Sequence, residues 1–402
     1  MASIAVQTST MKVKTNRRSD VNSPARFDLA LVLAVATLLA LGLVMVGSAS
    51  IAIADRELAQ PFYFLMRQSI FVALGVAIAA VVVMVPLYVW ERFSALLLLT
   101  GILLLMVLMI PGIGHTVNGS TRWLSLGVFN LQPSEFMKLF VIVYLAGYLV
   151  RRGEEVRNKV WGFMKPMLLL MVIAVLLLLE PDLGATAVIF ATALGMMFLG
   201  GVRLWQFGVL MMMVLSAIAV LTITSPYRME RVTAFLNPWA DPFNSGFQLT
   251  QSLIAFGRGE WFGLGLGGSI QKLFYLPEAH TDFVFAVLAE ELGLLGSVTV
   301  VLLFSFIAWR AFRIAMNAQK LGLDFAAYTA FGITLWICMQ AFINIGVNMG
   351  VLPTKGLTLP LMSYGGSSML VTCTAIAVLL RVDIETRIAY LSFAGVKNGG
   401  KR

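Results

Sequence analysis

Residues 164–200 have the sequence MKPMLLLMVIAVLLLLEPDLGATAVIFATALGMMFLG. Two long apolar runs are separated here by only Glu180, Pro181 and Asp182. Each run approaches the roughly 20 residues that an α-helix needs to cross a lipid bilayer. The stretch therefore predicts two membrane-spanning helices joined by a tight hairpin at the membrane boundary.

The composition of the whole chain extends this interpretation. Of the 402 residues, 59% are hydrophobic and only 12% are charged, and the mean hydropathy is +0.89. A water-soluble fold cannot bury so much apolar surface, and a porin-type barrel would show short alternating segments instead of continuous runs. We predict an all-α polytopic membrane protein with about ten transmembrane helices. The predicted spans are 28–53, 64–85, 93–111, 132–150, 164–180, 183–200, 204–224, 283–309, 324–351 and 359–381.

Basic residues concentrate on one side of these spans and so predict the orientation. Lys and Arg cluster in both tails and in the connections 151–165 and 310–323, and such residues favour the cytoplasmic side. We expect 1–27 to be a disordered cytoplasmic tail, 28–381 the membrane domain and 382–402 a cytoplasmic C-terminal tail. The net charge of +9 then reflects topology and anionic lipid head groups, and no nucleic-acid partner is expected.

The longest connection, 225–282, lies on the predicted extracytoplasmic side between the seventh and eighth spans. It is rich in Gly, Trp and Phe, which makes it too apolar for a disordered linker. We expect it to fold back on the membrane face with short helices in the interface.

A polar stripe opens the fourth span. Gln132, Glu135 and Lys138 recur every three residues and therefore share one face of a helix. One interpretation is an internal ion pair between Glu135 and Lys138 that supports helix packing. The other is that Lys138 faces a cavity and meets an anionic group such as a lipid phosphate.

The hairpin at 180–182 offers two more carboxylates. Asp182 is interpreted as part of a solvated turn. Glu180 ends an otherwise apolar helix, where it could line a cavity.

The densest group of ionisable residues precedes the eighth span. Glu278, His280 and Asp282 fall within five residues at a membrane surface. A partly desolvated carboxylate has a raised pKa and is able to accept a proton, so Asp282 is a candidate base. The alternative is that Asp282 caps the following helix. Glu290 and Glu291, deeper in that helix, are predicted to be structural.

A fourth group lies near the last span. Lys355 occupies the short outer loop, and the sequence SYGGSS at 363–368, which includes Ser367, is predicted to interrupt the helix. Such an interruption suits either ligand binding or close helix packing.

Cofactor motifs are missing from the sequence. It contains no Walker loop, and His115 and His280 lack zinc-site spacing. The sequence requires no cofactor and leaves the metal content unknown, with a divalent cation compatible with it.

Six stretches in this order carry a resemblance to a known family. They are TRWLSLG (121–127), QPSEFMK (132–138), EPDLG (180–184), NPWADPFNSGFQLTQSLIAFGRGEWFGLGLGGS (237–269), LPEAHTDFVFAVLAEELG (276–293) and PTKGLTLPLMSYGGSSM (353–369). The chain resembles the SEDS family of cell-wall glycosyltransferases, to which FtsW and RodA belong. The KGLTLP segment looks more like the division-type branch, FtsW, than the elongation-type branch, RodA.

The resemblance implies a peptidoglycan glycosyltransferase that joins lipid II units into glycan strands at the outer face of the bacterial cytoplasmic membrane. Its expected partners are lipid II, polyprenyl-pyrophosphate-linked glycan, a class B penicillin-binding protein that cross-links the strands, and other division proteins at the septum. The family's essential acidic residue falls on Asp282, expected to act as general base in an inverting displacement. Substrate-binding roles are predicted for Gln132, Glu135, Lys138, Arg258, Glu278, His280, Lys355 and Ser367.

Two functions from other classes compete with this interpretation. A lipid II flippase would also need many helices and intramembrane charges, but its polar groups should cluster near the bilayer midplane between repeats. A non-catalytic scaffold of the division machinery is the third. The predicted clustering of polar groups at one membrane face favours the polymerase.

Overall fold

The computed structural model describes residues 28–117, 120–125, 127, 130–225, 229, 233–354 and 356–399. Helices dominate these residues, as the long apolar runs predict. The helices with defined bounds are α1 (Leu29–Leu58), α2 (Tyr63–Val82), α3 (Leu87–Arg92), α4 (Ser94–Leu108), α5 (Pro133–Asn158), α6 (Val160–Leu179), α7 (Leu183–Leu199), α8 (Leu204–Ile223), α9 (Phe247–Gly259), α10 (Val284–Lys320), α11 (Asp324–Asn348) and α12 (Gly366–Gly399).

The prediction of a polytopic all-α membrane protein is confirmed. Seven helices of the described residues are long and apolar enough to span a membrane, and α4 and α7 are shorter apolar helices. Each of the ten predicted spans coincides with a helix of the structure. The hairpin between α6 and α7 is as tight as the sequence indicates, because α6 ends at Leu179 and α7 begins at Leu183.

The membrane core is built around α5, α11 and α12, which bury most of their side chains. α11 packs against α10, α5 and α7, and α12 packs against α2. α2 fully buries only Gln68 and Gly75. Phe71 and Val72 pack against the core, while Met66 and Ile70 are exposed, as expected for a helix with one lipid-facing side. The polar ends of the central helices are thereby brought together inside a ring of apolar surface.

Several helix ends differ from the predicted bounds, and two of the differences involve a break in the helical backbone. The last span was expected from residue 359, but α12 begins only at Gly366 because residues 359–365 form turns. Leu361 has φ 65°, and the Ser363 hydroxyl accepts a hydrogen bond from Leu359 N at 2.8 Å. α10 is also longer than predicted, and it is broken at Gly293, where φ is 66° and ψ is −161°.

Two of the connections between spans contain structure that hydropathy alone does not predict. The antiparallel strands β1 (Gly114–Val117), β2 (Ser120–Ser125) and β3 (Asn130–Leu131) form a small sheet in the order β1-β2-β3 ahead of α5. In the longest connection, α9 packs against α10 and α11. The predicted short helix in this loop is therefore present, and its apolar face is turned to the helix bundle.

Candidate active site

The residue before α10, Asp282, is fixed through its backbone. Its carbonyl oxygen accepts hydrogen bonds from Asn344 Nδ2 at 2.8 Å and from Asn348 Nδ2 at 3.0 Å. Both asparagines are buried on α11. The α11 side chains therefore hold the main chain of Asp282 and leave its carboxylate for other contacts.

The carboxylate of Asp282 is half-buried and accepts no hydrogen bond from any residue that the structure describes. It does not cap α10, since Phe283 occupies the cap position and no side chain bonds there. Burial raises the pKa of Asp282 to about 7, the charges of Glu278 and Asp182 raise it as well, and Arg122 opposes them. A carboxylate with this pKa accepts protons near neutral pH.

The chain segment after Lys355 lies beside this carboxylate. A Cβ atom placed on Gly356 would lie 3.1 Å from Asp282 Oδ2, so the two residues are direct neighbours. The same Asn344 amide that binds Asp282 also donates to Leu357 O at 2.6 Å. α11 thus holds the loop and Asp282 together. Lys355 itself, a predicted substrate-binding residue, lies outside the described residues.

The hairpin between α6 and α7 contributes a second acidic pair, and Asp182 is not the solvated residue that the sequence suggested. Its side chain is 3% exposed, accepts from Ala185 N at the start of α7 and accepts from Ser134 Oγ at 3.0 Å. It is a helix cap tied to α5. Capping leaves its negative charge close enough to act on Asp282.

Glu180 is buried at the end of α6, and neither of its carboxylate oxygens has a hydrogen-bond partner among the described residues. Burial raises the pKa of Glu180 to about 8, with a further increase from Asp182 and a decrease from Arg122. A buried carboxyl without donors is most stable in its neutral form. Its surroundings therefore favour the protonated form of Glu180.

Arg122 of β2 lies beside both acidic groups. Its Nε donates to Glu180 O at 3.2 Å and its Nη2 donates to Pro181 O at 2.6 Å. Its positive charge lowers the pKa of Glu180 and of Asp282. The three-stranded sheet thus places a cation at the site, which the sequence-based prediction missed.

The predicted stripe of Gln132, Glu135 and Lys138 is present at the start of α5, but its members lie at different depths in the bundle. The backbone N of Gln132 donates to Ser367 Oγ at 2.9 Å, so these two predicted residues meet at the rim of the site. One turn deeper, Lys138 Nζ lies 2.7 Å from Glu135 Oε1 and 2.8 Å from Gln340 Oε1, and Lys138 is 2% exposed. The structure thus shows the internal ion pair and no open cavity at Lys138.

Two further predicted residues, Glu278 and His280, differ in their exposure to solvent. Glu278 is exposed, accepts from Thr281 Oγ1 at 2.7 Å and acts electrostatically on Asp282. His280 is buried with its ring 4.5 Å from that of Phe64, and burial lowers its pKa. The imidazole is therefore neutral and packed.

Arg258 does not belong to the immediate surroundings of Asp282. Its Nε lies 3.1 Å from Glu290 Oε1. Glu291 is paired with Lys272 at 2.7 Å. Glu290 and Glu291 thus have the partners expected of buried structural residues, and Arg258 is the counter-ion of Glu290.

Metal ligands are not grouped in the part of the chain that the structure describes, where no three His, Cys, Asp or Glu side chains are arranged to hold an ion. The site residues that sequence reasoning missed are mostly neutral donors and the arginine of the sheet. They are Arg122, Ser134, Gln340 and Asn348. Arg122 stands in one of the six family-like stretches, but no periodicity connects it with Asp282.

Fold and site together define a polytopic helical membrane protein with a half-buried carboxylate at one end of its bundle. The chain belongs to the FtsW/RodA/SpoVE family, because the family model described as "Cell cycle protein" matches residues 29–388. The resemblance stated from the sequence is confirmed.

Relatives and solved structures agree with this assignment. The chain is 61% identical over 361 residues to a probable peptidoglycan glycosyltransferase FtsW of Thioalkalivibrio sulfidiphilus, covering 90% of each chain. It is 54% identical to that of Legionella pneumophila, covering 90% of this chain and 92% of the relative.

Among solved structures, it matches a chain from a study of the structural coordination of polymerization and crosslinking by a peptidoglycan synthase complex. The TM-score is 0.74 at 32% identity, over 90% of this chain and 98% of the other. It also matches the rod shape determining protein RodA of Thermus thermophilus, with a TM-score of 0.65 at 29% identity, over 89% and 96%.

Proposed function

We propose that this protein is a peptidoglycan glycosyltransferase that polymerises lipid II at the outer face of the cytoplasmic membrane during cell division. The observation that carries the proposal is the free carboxylate of Asp282, fixed by α11 at one end of the bundle. The relatives named FtsW support both the activity and the division-type branch.

Asp282 serves as the general base in this mechanism. It accepts the proton of the acceptor sugar's 4-hydroxyl while that oxygen attacks the anomeric carbon of the donor. The bond to the polyprenyl pyrophosphate breaks as the glycosidic bond forms, so an α-linked donor gives a β-linked product in one inverting step. One carboxylate suffices, since pyrophosphate leaves without the general acid that an inverting hydrolase needs.

The reaction needs a base for the acceptor hydroxyl and positive charge for the leaving pyrophosphate. The pKa of Asp282, about 7, keeps the carboxylate basic enough to take a proton at physiological pH. Negative charge that develops on the leaving pyrophosphate needs fixed cations or donors. Buried Lys138 and paired Arg258 are already neutralised by carboxylates, so they no longer lead as candidates for this role.

The cellular context is part of the same proposal. Both termini are cytoplasmic, in keeping with the distribution of Lys and Arg, and the protein works at the division septum. Its partners are a class B penicillin-binding protein that cross-links the new strands and other division proteins. The match to a chain of a peptidoglycan synthase complex supports a partner of that class.

A polymerisation assay in detergent micelles tests the proposed activity. Purified full-length protein, with its transpeptidase partner, is incubated with labelled lipid II, and the products are resolved by electrophoresis. A ladder of glycan strands is expected. Micelles have no second leaflet, so a flippase or a scaffold leaves lipid II unchanged, and that result would reject the polymerase.

A further inference from the structure

Arg122 is held in an unusual way for an arginine near an acidic site. Both of its hydrogen bonds go to carbonyl oxygens, those of Glu180 and Pro181. Carbonyl oxygens orient a guanidinium but do not neutralise it. Its positive charge is therefore left for another partner, although the side chain is only half-buried.

Three basic residues of the bundle are satisfied differently. Lys138, Lys272 and Arg258 each face a carboxylate at 2.7, 2.7 and 3.1 Å. No carboxylate among the described residues lies within ion-pair distance of Arg122, whose charge nevertheless reaches Asp282 and Glu180. The fold thus positions a cation near acids without pairing it.

The proposed reaction sets where a cation should lie relative to Asp282. A base lies about 3 Å from the hydroxyl oxygen that it deprotonates, and that oxygen approaches the reacting carbon to about 3 Å. In a single displacement the leaving oxygen departs on the opposite side of this carbon. The cation that meets the leaving group must therefore be near the base without pairing with it. Arg122 forms no ion pair with Asp282 among the described residues, and its charge still lowers the pKa of that carboxyl.

The surroundings also leave room for an anion beside Arg122. The carboxyl of Glu180 is buried and has no hydrogen-bond partner among the described residues, and this burial raises its pKa to about 8 and so favours the neutral form. A neutral carboxyl is able to donate one hydrogen bond. The two carboxylate oxygens of Asp182 accept hydrogen bonds from Ser134 Oγ and Ala185 N. The acids next to Arg122 therefore do not pair with it.

We propose that Arg122 binds the pyrophosphate of the lipid-linked donor, on the side of the sugar opposite Asp282. The inference rests on the proposed glycosyltransferase function and adds a residue to it. Two N–H groups of Arg122 dock on the α6–α7 hairpin, and the remaining donors of the planar fork face the pyrophosphate oxygens. Arginine suits this role because its fork pairs with two phosphate oxygens at once.

The test is equilibrium binding of two radiolabelled probes, a polyprenyl pyrophosphate and the matching polyprenyl monophosphate, to the purified full-length protein in detergent. Wild type should bind the pyrophosphate more tightly than the monophosphate. Arg122→Gln should weaken pyrophosphate binding by about 10-fold or more, the worth of a charged hydrogen-bond pair, and should remove the preference. Arg122→Lys should retain part of the preference.

The matched control is Arg56→Gln, which removes an exposed arginine that stacks on Phe274 at 4.5 Å and should keep the wild-type preference. An unchanged preference in Arg122→Gln would show that Arg122 only fastens the sheet to the hairpin, and would overturn the proposal. If Arg122→Gln does not fold, Arg122→Lys decides: a reduced preference supports the proposal and a full one overturns it.

This experiment is independent of the proposed activity. Binding without glycan ladders in the wild type would overturn the polymerase and leave the anion site standing. Glycan ladders from the wild type, together with unchanged pyrophosphate binding by Arg122→Gln, would support the polymerase and overturn the anion site.

Discussion

Asp282 has two properties that a general base needs. Its carboxylate is partly exposed and accepts no hydrogen bond from a described residue. Burial raises its pKa to about 7. Most exposed aspartates lose their proton near pH 4 and are weak bases at neutral pH. The environment of Asp282 thus supplies basicity and leaves the reacting oxygen accessible.

The rate of the chemical step should follow the ionisation of Asp282. Only the charged carboxylate accepts a proton, so the single-turnover rate should rise with pH and reach half its maximum near pH 7. Glu278→Gln removes a negative charge that raises the pKa of Asp282, and the rise should therefore move to lower pH. Glu278→Asp keeps the charge and should stay close to wild type. A pH profile that Glu278→Gln leaves in place would contradict this coupling.

The ion pair of Glu135 and Lys138 should behave as a unit in stability measurements. Lys138→Met leaves a buried carboxylate without its counter-ion, which costs about 3–5 kcal/mol. The double variant Glu135→Gln, Lys138→Met leaves no buried charge and should be more stable than Lys138→Met alone. Thermal unfolding in detergent measures both. A Lys138→Met protein of wild-type stability that has lost polymerisation would instead place Lys138 in contact with substrate.

At the scale of elements, the long connection between α8 and α10 supplies hydrogen-bond partners to the backbone at the break in α10. Carbonyl oxygens of Glu290 and Glu291 accept from Leu264 N and Gly265 N, both at 3.0 Å. Beyond the break, Leu294 N and Leu295 N donate to carbonyl oxygens of the same loop, those of residues 260 and 261. Every backbone group within a membrane needs such a partner, so loop and helix depend on each other.

The contact between this loop and α10 predicts different effects of alanine at two glycines, Gly263 and Gly265, and the second serves as the control. Gly263 and Gly265 have φ of 78° and 87°, so alanine at either strains the backbone by about 1–2 kcal/mol. Only at Gly263 would a Cβ also collide with the main chain, 2.2 Å from Glu291 O, whereas nothing lies within 4 Å at Gly265. Gly263→Ala should lower the unfolding temperature clearly more than Gly265→Ala. Equal shifts would argue against the docked loop.

Sequence reasoning predicted the spans well for a physical reason. Membrane helices are uniform apolar segments of set length, and all ten predicted spans coincide with helices. Turns and strands are decided by local bonds that hydropathy does not register. The start of α12 depends on Ser363 and on the backbone of Leu361, and the sheet that carries Arg122 has no strong period.

The site at the scale of the whole molecule combines parts that are far apart in the chain. Asp282 precedes α10, Arg122 comes from the sheet, Asp182 from the hairpin and Asn344 from α11. Spacing along the chain identified the acidic residue, since Glu278, His280 and Asp282 are close in sequence. Neutral donors such as Asn344 act across 62 positions, and only the folded structure brings them to their partners.

The polymerisation rate of Asp282→Asn compared with wild type tests the account most directly. The amide keeps the shape of the side chain but accepts no proton, so the rate should fall by about 10²- to 10⁴-fold, the usual contribution of a general base. Asp55→Asn makes the same change at an exposed residue near the end of α1 and should leave the rate unaltered. An Asp282→Asn enzyme that builds glycan strands within about twofold of the wild-type rate would contradict the assignment of the base.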